Sequence, residues 1–455
     1  MINPRIFRQY DIRGVWGKDL TEEGVLSIAR GFAFYLRENL KKETLKISIA
    51  MDVRVSSPRI SSALQKGLIE SGVSVIDIGM CPTPLQYFSL FHLNVDGGIM
   101  VTGSHNPPEF NGLKLSVEKE TLYGDKIQDI RKLIESGKAI KGKGGVETYE
   151  IIPAYMDYVA KGFPNTNPFK GIKVVLDSGN GTAGLVAPEL MRRLGAEVIE
   201  LYSEPDGNFP NHHPDPVVLE NIKKLIETVT KQNANLGIGY DGDSDRIGVV
   251  DEKGDVVWGD KLMVIFSRDI LKENPNAAII GEVKCSQTLY DDIKNHGGIP
   301  IMWKTGHSLI KKKMKEEGAL LAGEMSGHIF FRDRYLGYDD AIYASLRLME
   351  ILAKKGKPYS VRKLLEGVSP MVSTPEIRFD CPDEIKFAIV EKVKKAFEDY
   401  PVIDIDGVRV NFPNGWGLIR ASNTQPALVM RFEAVDEASL KKIKDLVETE
   451  LRKLL

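Results

Sequence analysis

Residues 47–79 have the sequence ISIAMDVRVSSPRISSALQKGLIESGVSVIDIG. An apolar stretch that ends at Asp52 predicts a strand, and apolar residues at helical spacing from about Ser57 predict an amphipathic helix. Gly72 ends that helix, and a second apolar stretch follows it directly. The segment therefore predicts a β-α-β unit, whose two strands pair in parallel through a right-handed crossover.

The same unit occurs twice more along the chain. Residues 172–202 place Asp177 at the end of the first strand, and residues 278–303 place Glu282 there. In both copies a helix with a glycine stop and a second apolar strand follow. Because each copy has the composition of a separate supersecondary unit, we expect three similar α/β domains.

Each unit is followed by another short apolar strand that ends in a polar loop containing glycine. These segments are GGIMVTGSHNP at 97–107, LGIGYDGDSDR at 236–246 and ALLAGEMSGH at 319–328. Open α/β sheets bind ligands at the loops beyond the carboxyl ends of their strands. We therefore expect the three loops to hold equivalent functional positions.

The chain is long enough for several domains. Its 455 residues exceed what one ordinary core accommodates. From about residue 367 the pattern changes to strands and a closing amphipathic helix, which predicts a smaller α+β domain. The predicted fold class is α/β, with three similar mixed α/β domains plus a smaller C-terminal α+β domain, and the predicted domains are 1–150, 151–253, 254–366 and 367–455.

Composition and charge favour small partners over nucleic acids or membranes. With 61 Lys and Arg against 63 Asp and Glu, the formal net charge of −2 lacks the basic excess typical of nucleic-acid binding. No apolar stretch is long enough to cross a bilayer, and the first residues lack the apolar region of a secretion signal, which predicts a cytoplasmic protein. Without CxxC spacing, Cys81, Cys285 and Cys381 are expected to be buried apolar residues.

The loop DGDSDR at 241–246 predicts a divalent-cation site. Asp241, Asp243 and Asp245 alternate, and alternating side chains of an extended loop point the same way, which supplies three hard oxygen ligands for Mg²⁺ or a similar cation. A calcium EF-hand does not fit, because Arg246 occupies the position of its required glycine and a strand follows. A solvated acidic turn is the alternative.

The loop VTGSHNPPEFNG at 101–112 presents one hydroxyl, that of Ser104. Gly103 permits unusual backbone angles and two prolines fix φ, which predicts a rigid loop with an exposed hydroxyl. A hydrolase-type nucleophile with His105 as its base is disfavoured, because adjacent side chains in an extended loop diverge and the strand-to-helix elbow is absent. A serine that braces a turn is one alternative. A metal site on an equivalent loop favours a modified Ser104 whose phosphate oxygen completes the metal shell.

Three further loops carry polar side chains suited to a sugar or a phosphate. GEMSGH offers Glu324, Ser326 and His328, which suit the hydroxyls of a sugar. His307 lies after a strand and at a helix start, which fits an acid/base group, a phosphate contact or a residue that braces the turn. The turn RASNTQP has the donor-rich composition typical of a phosphate site, and its donors are Arg420, Ser422, Asn423 and Thr424. A polar hairpin turn is the alternative.

Taken together, these loops resemble the α-D-phosphohexomutase superfamily, and specifically its phosphomannomutase/phosphoglucomutase branch. TGSHNP resembles the family's phosphoserine loop, DGDSDR its metal loop, GEMSGH its sugar loop and RASNTQP its phosphate loop, in the family's order. The resemblance implies four domains around a central cleft, a phosphate on Ser104, and Mg²⁺ bound by that phosphate with Asp241, Asp243 and Asp245. It implies interconversion of hexose 1-phosphate and hexose 6-phosphate through a hexose 1,6-bisphosphate.

The resemblance also assigns residues outside the motif centres. Tyr10, Arg13, Lys284 and His307 match contacts to the phosphate that is not reacting, held by RASNTQP. Lys114 and Arg246 match residues beside the reacting phosphate, where cations stabilise charge on the transferred group. His307 is also a candidate catalytic residue.

Two alternative functions remain at this point. Many relatives have RPSGTEP in the phosphate loop, and the residues at 421, 423 and 425 of this chain differ from it, which leaves the exact sugar open. Phosphoglucosamine mutases usually have Gln where Met325 stands, which argues against that activity. A non-catalytic sugar-phosphate-binding protein would need neither Ser104 nor the three aspartates. The sequence does not indicate an oligomeric state.

Overall fold

The computed structural model describes residues 2–163, 166–423 and 426–454. Within these ranges four β-sheets follow one another along the chain, and helices pack on their faces. No helix of the described part has the length and apolar composition needed to cross a bilayer.

The first sheet contains seven strands and five helices belong to the same region. The strands are β1 (Ile12–Val15), β2 (Leu45–Met51), β3 (Val73–Met80), β4 (Gly97–Val101), β5 (Phe110–Val117), β6 (Glu120–Thr121) and β7 (Val146–Thr148). The helices are α1 (Glu22–Leu40), α2 (Ser57–Glu70), α3 (Thr83–His92), α4 (Asp125–Glu135) and α5 (Ile151–Lys161).

The second and third sheets are smaller. The second contains β8 (Lys173–Asp177), β9 (Glu197–Leu201), β10 (Leu236–Tyr240), β11 (Ile247–Asp251) and β12 (Val256–Val257), with helices α6 (Ala187–Arg193) and α7 (Lys223–Gln232). The third follows helix α8 (Gly259–Glu273) and contains β13 (Ala278–Glu282), β14 (Ile299–Trp303), β15 (Leu321–Gly323) and β16 (Ile329–Phe331). Its other helices are α9 (Gln287–Asn295), α10 (His307–Glu317), α11 (Ala341–Lys355) and α12 (Val361–Leu364).

The fourth sheet is antiparallel and carries two helices. Its strands are β17 (Val372–Ser373), β18 (Ile377–Asp380), β19 (Val402–Ile403), β20 (Val408–Phe412), β21 (Gly415–Ala421) and β22 (Ala427–Ala434). The helices are α13 (Lys386–Ala396) and α14 (Glu437–Leu454).

The three repeated units have one topology. In each, a central strand (β2, β8 or β13) pairs in parallel with the strand after its helix and, on the other side, with the strand that precedes a functional loop. The next strand (β5, β11 or β16) returns antiparallel. This confirms the α/β class with mixed sheets, and it puts the loops after β4, β10 and β15 at equivalent places.

The apolar residues form cores that do not follow the repeats one by one. One cluster belongs to the first sheet and another to the fourth. The largest cluster runs from helices α3 and α5 through the second sheet into the third, and includes Phe88, Tyr155, Ile238 and Phe331. The strands before the first two functional loops, β4 and β10, are buried at every position, which explains their continuous apolar sequences.

The fourth region is attached to the third through buried arginines. The guanidinium of Arg409 lies 3.8 Å above the ring of Trp416 and donates to the carbonyls of Val283 and Cys285 at 2.7 and 2.9 Å. The Trp416 indole donates to Glu433 at 2.9 Å. Because these groups are buried and paired, they fix the fourth region beside the loop that follows β13.

Candidate active site

Direct contacts join the three functional loops and the turn of the fourth region. The Ser104 hydroxyl donates to Asp241 at 2.8 Å, and the Arg246 Nε donates to His328 Nε2 at 2.9 Å. Tyr10 links the first region to the others, because its hydroxyl donates to the Thr305 carbonyl at 2.7 Å and lies 2.7 Å from the Asn423 amide. These contacts gather the predicted motifs in one place.

Ser104 differs from the sequence expectation in two ways. Its hydroxyl is not exposed, because the residue is only 3% accessible. His105 does not diverge from it, since its Nδ1 lies 3.2 Å from the Ser104 Oγ. The cause is backbone geometry: Ser104 has φ 50°, a left-handed conformation rather than an extended one, at a cost of roughly 1 to 3 kcal/mol. Desolvation, then Arg246 and Arg13, hold the pKa of His105 well below its ordinary value.

The three aspartates of DGDSDR form a buried acidic cluster. One oxygen from each of Asp241, Asp243 and Asp245 lies within 4.8 Å of the others. The loop is a turn, with Ser244 at φ 64°, rather than the extended segment expected from the alternation. The Lys114 ammonium lies 2.8 Å from Asp243 Oδ2 and 2.5 Å from Asp245 Oδ2. Two oxygens, Asp243 Oδ1 and Asp245 Oδ1, are buried without a hydrogen-bond partner among the described residues.

The electrostatics of this cluster suit a divalent cation. Burial, then Asp243 and Asp245, raise the pKa of Asp241 well above its ordinary value. Burial also acts on Asp243, but Lys114 outweighs it and the net pKa of Asp243 is lowered. A divalent cation would relieve the repulsion among these three buried carboxyl groups, and hard oxygens are the ligands that Mg²⁺ prefers. The residues therefore fit a metal ion at the predicted place.

His328 faces the acidic cluster. Its Nδ1 lies 3.0 Å from Asp339 Oδ2 and 3.6 Å from Asp245 Oδ1, while its Nε2 accepts from Arg246. Asp339 is fully buried and also lies 3.1 Å from the Lys311 ammonium. Sequence reasoning missed Asp339, although the Asp-Asp pair directly before helix α11 could have indicated it.

Glu324 and Ser326 contact each other, and Glu324 also braces the start of helix α10. Glu324 Oε1 accepts from the Gly306 backbone at 2.5 Å, and its Oε2 accepts from the Ser326 hydroxyl at 3.2 Å. His307 is the first residue of α10, as expected, and its ring lies 5.7 Å from that of His328. Burial, then Lys311, hold the pKa of His307 well below its ordinary value, so its imidazole is neutral near pH 7.

The turn of the fourth region presents Arg420 beside an acidic partner. The Arg420 Nε and Nη2 lie 3.0 and 3.3 Å from the two oxygens of Asp406, which also accepts from the Thr305 backbone at 3.0 Å. Ser422 is buried and Asn423 contacts Tyr10. Thr424 lies outside the described residues. The sequence carried no signal for Asp406, which lies in a loop between two short strands.

Two of the predicted phosphate contacts lie at different ends of the site. Lys284 lies 3.1 Å from Glu376 of the fourth region. Arg13 lies instead beside the Ser104 loop, where its Nη1 is 3.3 Å from the Gly103 carbonyl and 3.1 Å from the Asn106 side chain. Tyr10 and Arg13 are therefore close in sequence but separate in contacts.

Comparison with known proteins gives the same family for all parts of the chain. Sequence profiles of phosphoglucomutase/phosphomannomutase match as alpha/beta/alpha domain I at 4–141, domain II at 153–254, domain III at 258–368 and the C-terminal domain at 376–450. The phosphomannomutase/phosphoglucomutase of Pseudomonas aeruginosa is 46% identical over 98% of this chain and 95% of its own length. The phosphoglucomutase of Neisseria gonorrhoeae is 42% identical over 97% and 95%.

A solved structure agrees with these sequence matches. The phosphoglucomutase/phosphomannomutase family protein of Burkholderia thailandensis superimposes with a TM-score of 0.92 and 41% identity, covering 100% of this chain and 98% of the other. Family, fold and the arrangement of the four motifs thus agree. The chain belongs to the phosphoglucomutase/phosphomannomutase family of phosphohexomutases, which are isomerases.

Proposed function

We propose that the enzyme interconverts the 1-phosphates and 6-phosphates of mannose and glucose through a phosphoserine at Ser104 and a hexose 1,6-bisphosphate. The observation that carries this proposal is the 2.8 Å contact between the Ser104 hydroxyl and Asp241 of the acidic cluster. A phosphate on that hydroxyl would lie against the carboxylates, which only a cation makes favourable. Mg²⁺ held by Asp241, Asp243, Asp245 and this phosphate would neutralise charge on the transferred group.

The transfer itself exchanges one phosphorus–oxygen bond for another. The bond from phosphorus to Ser104 Oγ breaks as one forms to the free hydroxyl oxygen of the sugar phosphate. The proton of that sugar hydroxyl passes to a base, and a proton taken up from solvent restores the Ser104 hydroxyl, so that only the phosphoryl group is transferred. The neutral imidazole of His307 is our candidate for that base. Lys114 and Arg246 supply positive charge beside the transferred group. After the bisphosphate turns round, its other phosphoryl group returns to Ser104 by the reverse exchange.

The fourth region is proposed to hold the phosphate that does not react. Arg420, Ser422, Asn423 and Thr424 would bind it with Tyr10 and Lys284. Arg420 offers two donors at the spacing of two phosphate oxygens, which it now directs at Asp406. Arg13 lies beside Ser104, which supports a place near the reacting phosphate instead.

The sugar ring is proposed to lie against Glu324 and Ser326, with His328 between the ring and the acidic cluster. Glu324 and Ser326 would bind the 3- and 4-hydroxyls, which have the same configuration in mannose as in glucose. Neither residue would then distinguish the two sugars. The name of the Pseudomonas aeruginosa relative supports this dual preference.

The test is a coupled assay with mannose 1-phosphate, glucose 1-phosphate and glucosamine 1-phosphate, each with a trace of glucose 1,6-bisphosphate as activator. Turnover of the first two confirms the proposal. Preference for glucosamine 1-phosphate would favour a phosphoglucosamine mutase, and binding without turnover a non-catalytic sugar-phosphate-binding protein. Intact mass gives an independent readout, because the mechanism requires a species heavier by one phosphate that Ser104→Ala lacks. The proposed setting is cytoplasmic, with phosphosugars as partners and no nucleic-acid or membrane partner.

A further inference from the structure

Arg54 is a fully buried arginine that directs four of its five N–H bonds at the Ser104 loop. Its Nη2 donates to the carbonyls of Ser104 and Asn106 at 2.7 and 2.6 Å. Its Nη1 donates to the carbonyls of Pro107 and Phe110 at 2.6 and 2.9 Å. A guanidinium has five N–H bonds, and the fifth, on Nε, points to Asp52 at 3.1 Å.

Asp52 ties this arginine to the end of strand β2 and to the same loop. It accepts from the Gly103 backbone at 3.0 Å, as well as from the Arg54 backbone and side chain. A Cβ atom on Gly103 would lie 2.4 Å from the Arg54 guanidinium carbon, so the close approach requires glycine there. From the second region, the Phe209 ring covers the guanidinium at 5.3 Å.

The repeat shows that this use of the position is particular to the first region. The carboxylates at the ends of β2, β8 and β13 each accept from the backbone N–H two residues on, which belongs to Arg54, Gly179 and Lys284 respectively. Gly179 has no side chain to use. The Lys284 side chain reaches Glu376 of the fourth region instead. Among these three residues, only the arginine has a side chain that binds a functional loop.

We propose that Arg54 is a positioning residue that holds Ser104 in its left-handed conformation for phosphoryl transfer. The inference rests on the proposed phosphoserine mechanism. Four loop carbonyls would repel a phosphate if they turned towards it, and Arg54 binds all four. In each catalytic cycle the Ser104 oxygen loses a phosphoryl group once and receives one once. A loop held in one conformation positions that oxygen for both steps.

The experiment compares Arg54→Lys and Arg54→Ala with the parent enzyme. Lysine keeps the positive charge, but its three N–H bonds are all on one nitrogen atom. They cannot bind the four separate carbonyl oxygens. Because a displacement of about 1 Å at a reacting group costs on the order of 100-fold, we expect kcat of Arg54→Lys to fall roughly 10- to 100-fold for both sugars. KM should stay within about twofold, because the sugar and distal phosphate contacts are untouched. Added guanidinium ions at millimolar concentration should restore part of the kcat of Arg54→Ala.

The matched control is Arg347→Lys. Arg347 is also a buried arginine that donates to the backbone carbonyl and the side chain of Asp333, and it lies on helix α11 rather than in contact with the Ser104 loop. We expect it to lower the melting temperature, leave kcat unchanged and show no response to guanidinium. A second readout is the rate at which glucose 1,6-bisphosphate adds one phosphate to the protein, followed by intact mass, which should be slowed only in the Arg54 variants.

The outcomes separate the two proposals. An inactive parent that gains no phosphate refutes the proposed function and this inference with it. If the parent is active and Arg54→Lys has the parental kcat, the positioning role is refuted but the proposed function is not. A positive charge without the separated N–H bonds of a guanidinium would then suffice. An Arg54→Ala that folds but does not respond to guanidinium also refutes it. If the alanine variant does not fold, Gly103→Ala, which must push the guanidinium aside, should reproduce the kcat loss of Arg54→Lys, and an unchanged kcat there refutes the role.

Discussion

Replacement of Arg420 by lysine tests how the fourth region holds a phosphate. The Arg420 side chain is 6% exposed, and two of its nitrogens lie 3.0 and 3.3 Å from the two oxygens of Asp406. This two-point geometry matches a phosphate as well as a carboxylate. A lysine keeps the positive charge but presents a single nitrogen. The variant therefore removes one of two charged hydrogen bonds and little else.

The magnitude follows from that single bond. A hydrogen bond to a charged group contributes about 1.5 to 3 kcal/mol. Since each 1.4 kcal/mol corresponds to about tenfold in affinity, KM should rise about 10- to 150-fold for mannose 1-phosphate and glucose 1-phosphate alike. The contact to the distal phosphate is the same before and during transfer, so kcat should change by less than about threefold.

The assay is steady-state kinetics of both sugars with saturating Mg²⁺ and bisphosphate. Arg362→Lys serves as control, because Arg362 is an exposed arginine that pairs with Asp251 and Asp255 rather than with a residue of the motifs, and its kinetics should be parental. An unchanged KM for Arg420→Lys would mean that the turn is only a polar hairpin. A loss confined to kcat would place Arg420 at the reacting phosphate instead and would equally contradict its role at the distal phosphate.

Four further expectations follow from the site. Ser104→Ala should lose at least about 10⁴-fold in kcat and remain folded, because it removes one hydroxyl and its hydrogen bond to Asp241; substantial remaining turnover would end the phosphoserine mechanism. Asp243→Asn should raise the Mg²⁺ concentration for half-maximal activity at least about tenfold, and full parental activity in EDTA after exhaustive dialysis would contradict the metal site. Glu324→Ala should impair both sugars equally, with the parent discriminating less than about tenfold between them; damage confined to one epimer would refute dual specificity. Burial raises the pKa of Asp340 from 3.8 to about 6, so the folded protein binds this proton more tightly than the unfolded chain, and the stability it contributes is present at low pH and lost as pH rises. In the parent, the unfolding free energy measured by urea denaturation should therefore fall by about 2 kcal/mol between about pH 4.5 and 7 because of this group. Asp340→Asn should lack that fall, and parallel pH curves for the two proteins would contradict the prediction.

Much of the architecture is present in local sequence patterns. Apolar stretches of strand length, helices with a glycine stop and polar loops repeat three times, and each pattern depends only on residues close in the chain. The parallel pairing followed from the crossover, and the equivalent loop positions followed from the parallel pairing. The motifs centred on Ser104, Asp241 and Glu324 could be found for the same reason, because each is a short continuous segment.

The partners of those side chains depend on how distant parts of the chain pack together. The burial of Ser104, its left-handed backbone and its nearness to His105 depend on the Arg54 contacts and on Asp241, which is 137 residues away. Asp406 beside Arg420 and Asp339 beside His328 come from loops outside the predicted motifs. Local patterns specify which chain segments form strands and helices and where the loops lie. A buried ion pair or hydrogen bond depends instead on which distant groups packing brings within about 3 Å, and no periodicity of the sequence records that distance.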